Sequence, residues 1–251
     1  MQIDGTTALV TGAASGLGAA TAAALAAKGA TVLGLDLAAS IEKAVATDGV
    51  RLVAADVTSE SEVAAALATL DGPPLRIVIS CAGIAPARRV LSSKGVHELD
   101  LFRKTIEVNL IGTFNVLRLA AEVIAATEPI DDDGQRGVII NTASVAAYEG
   151  QIGQIAYSAS KGGVVGMTVP AARDLARSGI RVNTIAPGIV DTPMLAALGP
   201  EVNASLAASV PFPHRLARPD EYAQLAIMIV EHDYLNAETI RMDGAIRMAP
   251  Q

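Results

Sequence analysis

Seven short runs of this chain read as strands, and most of them are continuously apolar, not alternating. They are Thr7–Thr11, Thr31–Asp36, Arg51–Ala55, Ile77–Ser80, Val138–Thr142, Arg181–Ile185 and Thr239–Met242. A strand that reads this way has no solvent face, so it belongs in a parallel sheet covered on both sides. Parallel neighbours need a crossover, and stretches of helical length supply it at Gly16–Lys28, Ser59–Thr69, Asp100–Ala126, Ile155–Ser178 and Pro219–Val230. The expected architecture is α/β: a single Rossmann-like, doubly wound parallel sheet of about seven strands with helices on both faces. No Ser/Pro-rich linker divides the 251 residues, so residues 1–251 are expected to form one domain. Three segments read as irregular: Ala85–Leu99, Pro129–Gly137 and Pro187–Pro219. Loops of that length are often functional. The last contains an expected substrate loop at about 188–218, over the carboxyl ends of the strands where ligands bind in such sheets.

Composition narrows the function. Hydrophobic residues make up 51% of the chain and the net charge is -7. A core of that size leaves apolar surface to bury between subunits. An acidic surface repels phosphate backbones and anionic lipid, so neither nucleic acid nor a membrane is an expected partner. The most apolar runs are broken by Lys28, Arg118 and Glu122, short of the roughly 20 clean residues of a membrane span. The single cysteine, Cys81, allows no internal disulfide, and no secretory signal is recognised at Met1–Gly5. A cytoplasmic location is expected, with the mitochondrial matrix as the alternative. His97, His214 and His232 lack zinc-ligand spacing, so no metal is expected. "DDDGQRG" at Asp131–Gly137 reads as a solvated turn.

"VTGAASGLGAA", from Val10 to Ala20, puts Gly12, Gly16 and Gly18 between the first strand and the first helix. Missing side chains there let a pyrophosphate approach, and a helix N-terminus offers free N–H groups and positive potential. Asp36 closes the next strand, 18 residues after Gly18, near the separation of about 20 at which a carboxylate meets an adenosine ribose. Its charge repels a 2′-phosphate, and neither Leu37 nor Ser15 supplies a compensating cation. NAD is therefore expected over NADP. Asp56, followed by Val57, either caps the helix near Ser59 or accepts from the adenine amino group.

Tyr157 and Lys161 are four residues apart and share a helix face. A phenol of pKa about 10 is a poor base at neutral pH, and a nearby ammonium is expected to lower it. On spacing alone, the pair reads more readily as a core tyrosine with a snorkelling lysine. Ser144 ends the strand "GVIINTAS", 13 residues before Tyr157, where its hydroxyl either meets a substrate oxygen or caps a turn. Asn109 lies inside a helical run, where an amide is unfavourable without a partner; a buried one could hold a water linked to Lys161. The small residues Ala159, Ser160, Gly162 and Gly163 suggest close packing, across a subunit interface or within the chain.

Together these residues resemble the NAD(P)-dependent short-chain dehydrogenase/reductase family along essentially the whole chain. The resemblance rests on "TGAASGLG", Asp36, Asp56-Val57, Cys81-Ala82-Gly83, Asn109, Ser144, "YSASK" at Tyr157–Lys161, Pro187-Gly188 and Thr192. One departure is Ser80-Cys81, where the family often has two asparagines; a side chain that steadies the neighbouring strand would be lost. "RGVIINTASVAAYEGQIGQIAYSASKGGVVGMT", "VPFPHRL" and "IRMDGAIRM" are similar to the branch that oxidises 3-hydroxyacyl-CoA, including 2-methyl-branched thioesters. The resemblance implies an NAD site lined by Gly12, Ser15, Gly16, Leu17, Gly18, Asp36, Asp56, Val57, Cys81, Ala82, Gly83, Tyr157, Lys161, Pro187, Val190 and Thr192. It implies Tyr157 as proton acceptor, Lys161 as its tuner, Ser144 on the substrate oxygen and Asn109 in a proton relay. It also implies a homotetramer. A 3-oxoacyl-thioester reductase or hydroxysteroid dehydrogenase would use the same chemistry, and a non-enzymatic nucleotide-bound scaffold is the reading from another class. Met194–Phe212 is apolar enough to fold over an acyl chain or against a partner subunit. Arg88, Arg89 and Lys94 read as solvated surface or as contacts to coenzyme A phosphates.

Overall fold

The computed structural model of the protein describes residues 1–196 and 199–250; Ala197 and Leu198, within the expected substrate loop, lie outside the described residues. In chain order the first half contains β1 (Thr7–Thr11), α1 (Gly16–Ala27), β2 (Thr31–Asp36), α2 (Ala38–Ile41), β3 (Val50–Ala54), α3 (Glu60–Leu67), β4 (Leu75–Ser80), β5 (Leu91–Ser92), β6 (Gly95–Val96), α4 (Leu99–Ile106) and α5 (Gly112–Ala125). The second half contains β7 (Gly137–Thr142), α6 (Ile155–Leu175), β8 (Ile180–Pro187), α7 (Pro193–Ala196), α8 (Pro200–Ala208), α9 (Pro219–Glu231) and β9 (Thr239–Met242).

Seven strands form one parallel sheet in the order β3-β2-β1-β4-β7-β8-β9. The chain runs outward from β1 to β3, returns across the sheet to β4, then runs outward the other way. Neighbouring loops therefore diverge above the carboxyl ends of β1 and β4, which opens a crevice there. Both faces of the central strands β1, β4, β7 and β8 are buried. Leu9, Val78, Ile139 and Val182 pack under α3, α5 and α6, while Val10, Ile79, Ile140 and Ile185 pack under α1 and α9. This two-sided burial is why the strands read as continuous apolar runs.

The expected elements differ from the observed ones mainly inside loops and one long helix. The segment Ala85–Leu99 contains the small hairpin β5–β6, and Pro187–Pro219 contains α7 and α8. The helix expected over Asp100–Ala126 spans Leu99–Ala125 but widens into a single π-helical stretch at Glu107–Ile111. Its length and an 18-residue window of mean hydropathy 1.4 would suit a membrane span, yet half of that window is buried inside the fold. Arg118, on the same helix, pairs with Asn115 and Glu60. α6 ends through a short 3-10 turn at Ala176–Ser178, where Gly179 takes a left-handed φ of 66° and stops the helix. Asp131–Gly137 forms the expected turn, with Asp131 accepting from the Gln135 backbone.

Candidate active site

The carboxyl ends of β1, β4, β7 and β8 open into a cleft of about 630 Å³. Each residue named for the cofactor site, from Gly12 to Thr192, lines this cleft, as does Ser144; Asn109 does not.

One end is built from the glycine loop. Gly12 and Gly16 hold φ values of 67° and 53°, a region that favours glycine. A Cβ at Gly12 would stand 2.9 Å from the Ala82 nitrogen, and one at Gly18 would overlap the Gly12 carbonyl oxygen. The loop therefore closes on the end of β4, and α1 starts directly above it. Ser15 occupies the N-cap position, but its hydroxyl makes no capping bond. That hydroxyl and the unpaired first N–H groups of α1 fit a phosphate ligand. Asp36 accepts from Ala14 N at 3.0 Å and from Leu37 N at 2.8 Å, which ties the glycine loop to the end of β2. Each carboxylate oxygen keeps acceptor capacity for a ribose diol.

Asp56 is not the helix cap. Ser59 caps α3, accepting from Glu62 N at 3.3 Å. Asp56 instead closes the preceding turn, accepting from the Thr58 backbone at 2.9 Å and the Thr58 hydroxyl at 2.7 Å. The backbone bond is the main cause of its lowered pKa, and Lys104, another residue of the cleft wall, adds to it. Next to it, Val57 covers Gly112: a Cβ there would lie 2.7 Å from Val57 Cγ2.

At the other end stand Ser144, Tyr157 and Lys161. Ser144 follows β7 and is 8% exposed. It does cap a turn, accepting from Ala146 N at 3.1 Å, and it also stands beside Tyr157, where its hydroxyl eases ionisation of the phenol. Tyr157 and Lys161 lie one turn apart on α6, with Nζ 5.8 Å from the ring centroid. Lys161 is 4% exposed and donates to Thr142 O at 2.7 Å. Burial lowers its pKa to about 8. The expected lowering of the phenol by Lys161 is not what dominates: burial holds Tyr157 above its ordinary value, against the pull of Ser144. The physical reason is desolvation, which penalises phenolate and ammonium alike.

The π-helical stretch explains Asn109. The side chain is fully buried; Nδ2 donates to Ile84 O at 2.8 Å and Ser160 Oγ at 3.0 Å, and Oδ1 accepts from Ile84 N at 2.8 Å. Both donor hydrogens are thus used, so the side chain clamps the loop after β4 to α6. Gly83 permits the approach: a Cβ there would lie 3.2 Å from Asn109 Oδ1 and 3.7 Å from Lys161 Nζ. Gly163 also packs within the chain, since its Cβ would fall 2.6 Å from Leu110 on the π-helical stretch. Around Gly162, the nearest atom to an added Cβ is 3.9 Å away.

Cys81 lies at the cleft floor, with Sγ 3.6 Å from Thr142 Oγ1 and 3.7 Å from Tyr222 OH. Burial pushes its thiol up, which makes it a poor nucleophile. Beside it, the departure at Ser80 leaves its mark. Ser80 and Asn141 are register partners, and neither the Ser80 hydroxyl nor either side-chain amide atom of Asn141 has a hydrogen-bond partner among the described residues. Arg88 is held by Glu98 through two bonds of 2.7 and 2.9 Å, while Arg89 and Lys94 are exposed near the β5–β6 hairpin. Sequence reasoning missed Thr142 and Tyr222, joined at 2.7 Å beneath Lys161, and the cleft residues Gln151, Gln154 and Met248. Thr142 had one signal, its place two residues before Ser144 on the same strand end; the others had none.

A profile of the short chain dehydrogenase family matches residues 6–203. The 3-hydroxyacyl-CoA dehydrogenase type-2 of Drosophila melanogaster is 55% identical over 249 residues, covering 96% of this chain and 97% of its own. The protein of that name from Homo sapiens is 53% identical over 256 residues, covering 99% and 98%. The crystal structure of 3-hydroxyacyl-CoA dehydrogenase type-2 from Mycobacterium avium superposes with a TM-score of 0.92 at 45% identity, over all of both chains. The similarity to these relatives thus runs along nearly the whole chain that carries the glycine loop, Ser144, Tyr157 and Lys161. The chain belongs to the short-chain dehydrogenase family and is an oxidoreductase that works with a nicotinamide cofactor.

Proposed function

We propose that the protein is an NAD-dependent 3-hydroxyacyl-CoA dehydrogenase, acting on short and 2-methyl-branched thioesters. The observation that carries this reading is the convergence of Ser144, Tyr157 and Lys161 in a cleft that begins at Asp36, in a chain over half identical to relatives named for that activity. Gly12, Ser15, Gly18 and Asp36 would hold the dinucleotide. The Asp36 carboxylate, with Leu37 beside it, supports NAD over NADP, because a 2′-phosphate would meet a negative charge.

When bound, the nicotinamide supplies the acceptor for the hydride of the carbinol carbon. The chain supplies the proton chemistry. Tyr157 takes the proton of the substrate hydroxyl in oxidation and returns it in reduction. Ionising a partly buried phenol is unfavourable; the Ser144 hydroxyl opposes that penalty, and a protonated Lys161, 5.8 Å from the ring, would add to that opposition. Ser144 also orients the substrate oxygen and stabilises its developing charge. Asn109 is a positioning residue, holding the loop after β4 against α6.

In this reading residues 1–251 act as one domain, with 188–218 over the substrate. Exposed Ile111 and Phe114 on the long helix and Val169 on α6 support assembly as a homotetramer through paired helices. A lone cysteine supports a reducing compartment, the cytoplasm or the mitochondrial matrix. Initial rates with 3-hydroxyacyl-CoA, hydroxysteroids and simple secondary alcohols, each with NAD and with NADP, test the proposal. The 3-hydroxyacyl-CoA with NAD should give the highest kcat/KM; a preference for NADP, or for a steroid, would contradict it.

A further inference from the structure

The substrate side of the cleft has a wall drawn from the far end of the chain. Met248 lines the cleft with Gln151, Gln154, Met194, Leu195 and Leu206. It lies beyond β9, about 90 residues after Tyr157, yet it is tied to the short segment between Ser144 and Tyr157. Its own backbone N–H donates to Glu149 Oε2 at 3.2 Å. The next two residues are held as well: Gln151 Nε2 donates to Ala249 O at 3.2 Å, and Ile152 N donates to Pro250 O at 2.8 Å. Ile246, 2% exposed, anchors the same segment from below.

Glu149 itself is locked. Arg241 of β9 reaches it with two bonds of 2.8 and 3.2 Å, bonds Asp243 at 2.7 Å, and stacks 5.4 Å from the Tyr148 ring. The same guanidinium donates to Ile246 O at 3.2 Å. Charge-assisted, two-pronged pairing of this kind fixes direction as well as distance. Met248 is thereby referenced to the same rigid segment that carries Ser144 into α6. A polar network that rigid has no role in proton transfer, since none of its members touches Tyr157 or Lys161 in the bonds above. It does fit a ruler: an apolar residue whose backbone is anchored to the segment between Ser144 and Tyr157 lines the cleft and narrows the room for a substituent there.

We propose that Met248 is a specificity-determining residue that limits the size of the acyl substituent, and that Glu149 and Arg241 are positioning residues that hold it in place. The size limit rests on the acyl-thioester reading for its natural substrate, but not for its existence. The test is a chain-length profile of kcat/KM, measured with 3-hydroxyacyl-CoA thioesters and, in parallel, with a series of 2-alkanols. Met248→Ala should raise the long-to-short ratio by about tenfold or more, and Met248→Phe should lower it. Glu149→Gln should move the ratio in the same direction as Met248→Ala, through KM and not kcat, and Glu149→Asp should restore part of it. A long-to-short ratio that stays within twofold of wild type in both Met248 variants would overturn the proposal. Turnover of 2-alkanols without turnover of any thioester would refute the acyl-CoA reading alone, and the alkanol ratios would still decide the role of Met248.

Discussion

Tyr157 and Lys161 stand one helical turn apart at the scale of single residues, Nζ 5.8 Å from the ring centroid. Burial raises the phenol and lowers the ammonium to about 8, so each holds its proton differently from its free counterpart. Oxidation needs Tyr157 able to accept a proton. Its rate should rise with pH, and the rate of the reverse reduction should fall. The apparent pKa of kcat/KM belongs to the pair and not to either residue. Lys161→Met removes the only cation beside the phenol described in the cleft, so this apparent pKa should move upward and oxidation at pH 7 should fall by about 100-fold or more. Profiles from pH 6 to 10 for both proteins check this; superimposable profiles would contradict it. The residue scale is also where spacing misled. Tyr-x-x-x-Lys suggested a lysine that depresses its tyrosine, but spacing carries no information about desolvation, which is the larger effect here.

Among the elements, the long helix Leu99–Ala125 shows what a sequence pattern can and cannot convey. Its existence was legible, because apolar residues recur at helical spacing. Its π-helical stretch was not. The extra residue at Glu107–Ile111 is stabilised by partners remote in sequence: Ile84, 25 residues before Asn109, Ser160, 51 residues after it, and Gly163 against Leu110. Gly163→Ala should therefore act on the π-helical stretch, not on subunit assembly. The added Cβ, 2.6 Å from Leu110 Cδ2, forces that side chain to shift; this should lower activity, while the gain of about 1 kcal/mol in helix propensity offsets part of the cost in stability. The double variant Gly163→Ala/Leu110→Ala relieves that overlap, so kcat should recover more than stability does, since the second truncation leaves a cavity. Chemical denaturation and steady-state kinetics on the three proteins check the order. Loss of the oligomer with an unaltered site would count against this account. All seven strands were read to within about two residues at each end, because most strands buried on both faces write themselves as apolar runs. The hairpin β5–β6 and the helices α7 and α8 were not, because short elements outside the core carry too few periodic positions to register.

For the whole molecule, the topology brings together residues that the sequence scatters. The reversal between β1 and β4 opens the crevice. The glycine loop and Asp36 come from one half of the sheet, and Ser144, Tyr157 and Lys161 from the other. Those residues were legible as a set because each carries a chemistry that its position demands. Met248, Glu149 and Arg241 were not, since an apolar residue and two surface-type charges acquire meaning only when the end of the chain folds back over the cleft. The division of labour between the two halves is the central claim. In the proposed function, the glycine loop and Asp36 bind the dinucleotide, while Ser144, Tyr157 and Lys161 move the proton. The measurement that separates them most directly is Tyr157→Phe, assayed for NADH formation from 3-hydroxyacyl-CoA and, by calorimetry, for NAD binding. The account predicts turnover reduced by at least about 100-fold with NAD affinity within a few-fold of wild type. Turnover near the wild-type rate in Tyr157→Phe would contradict it.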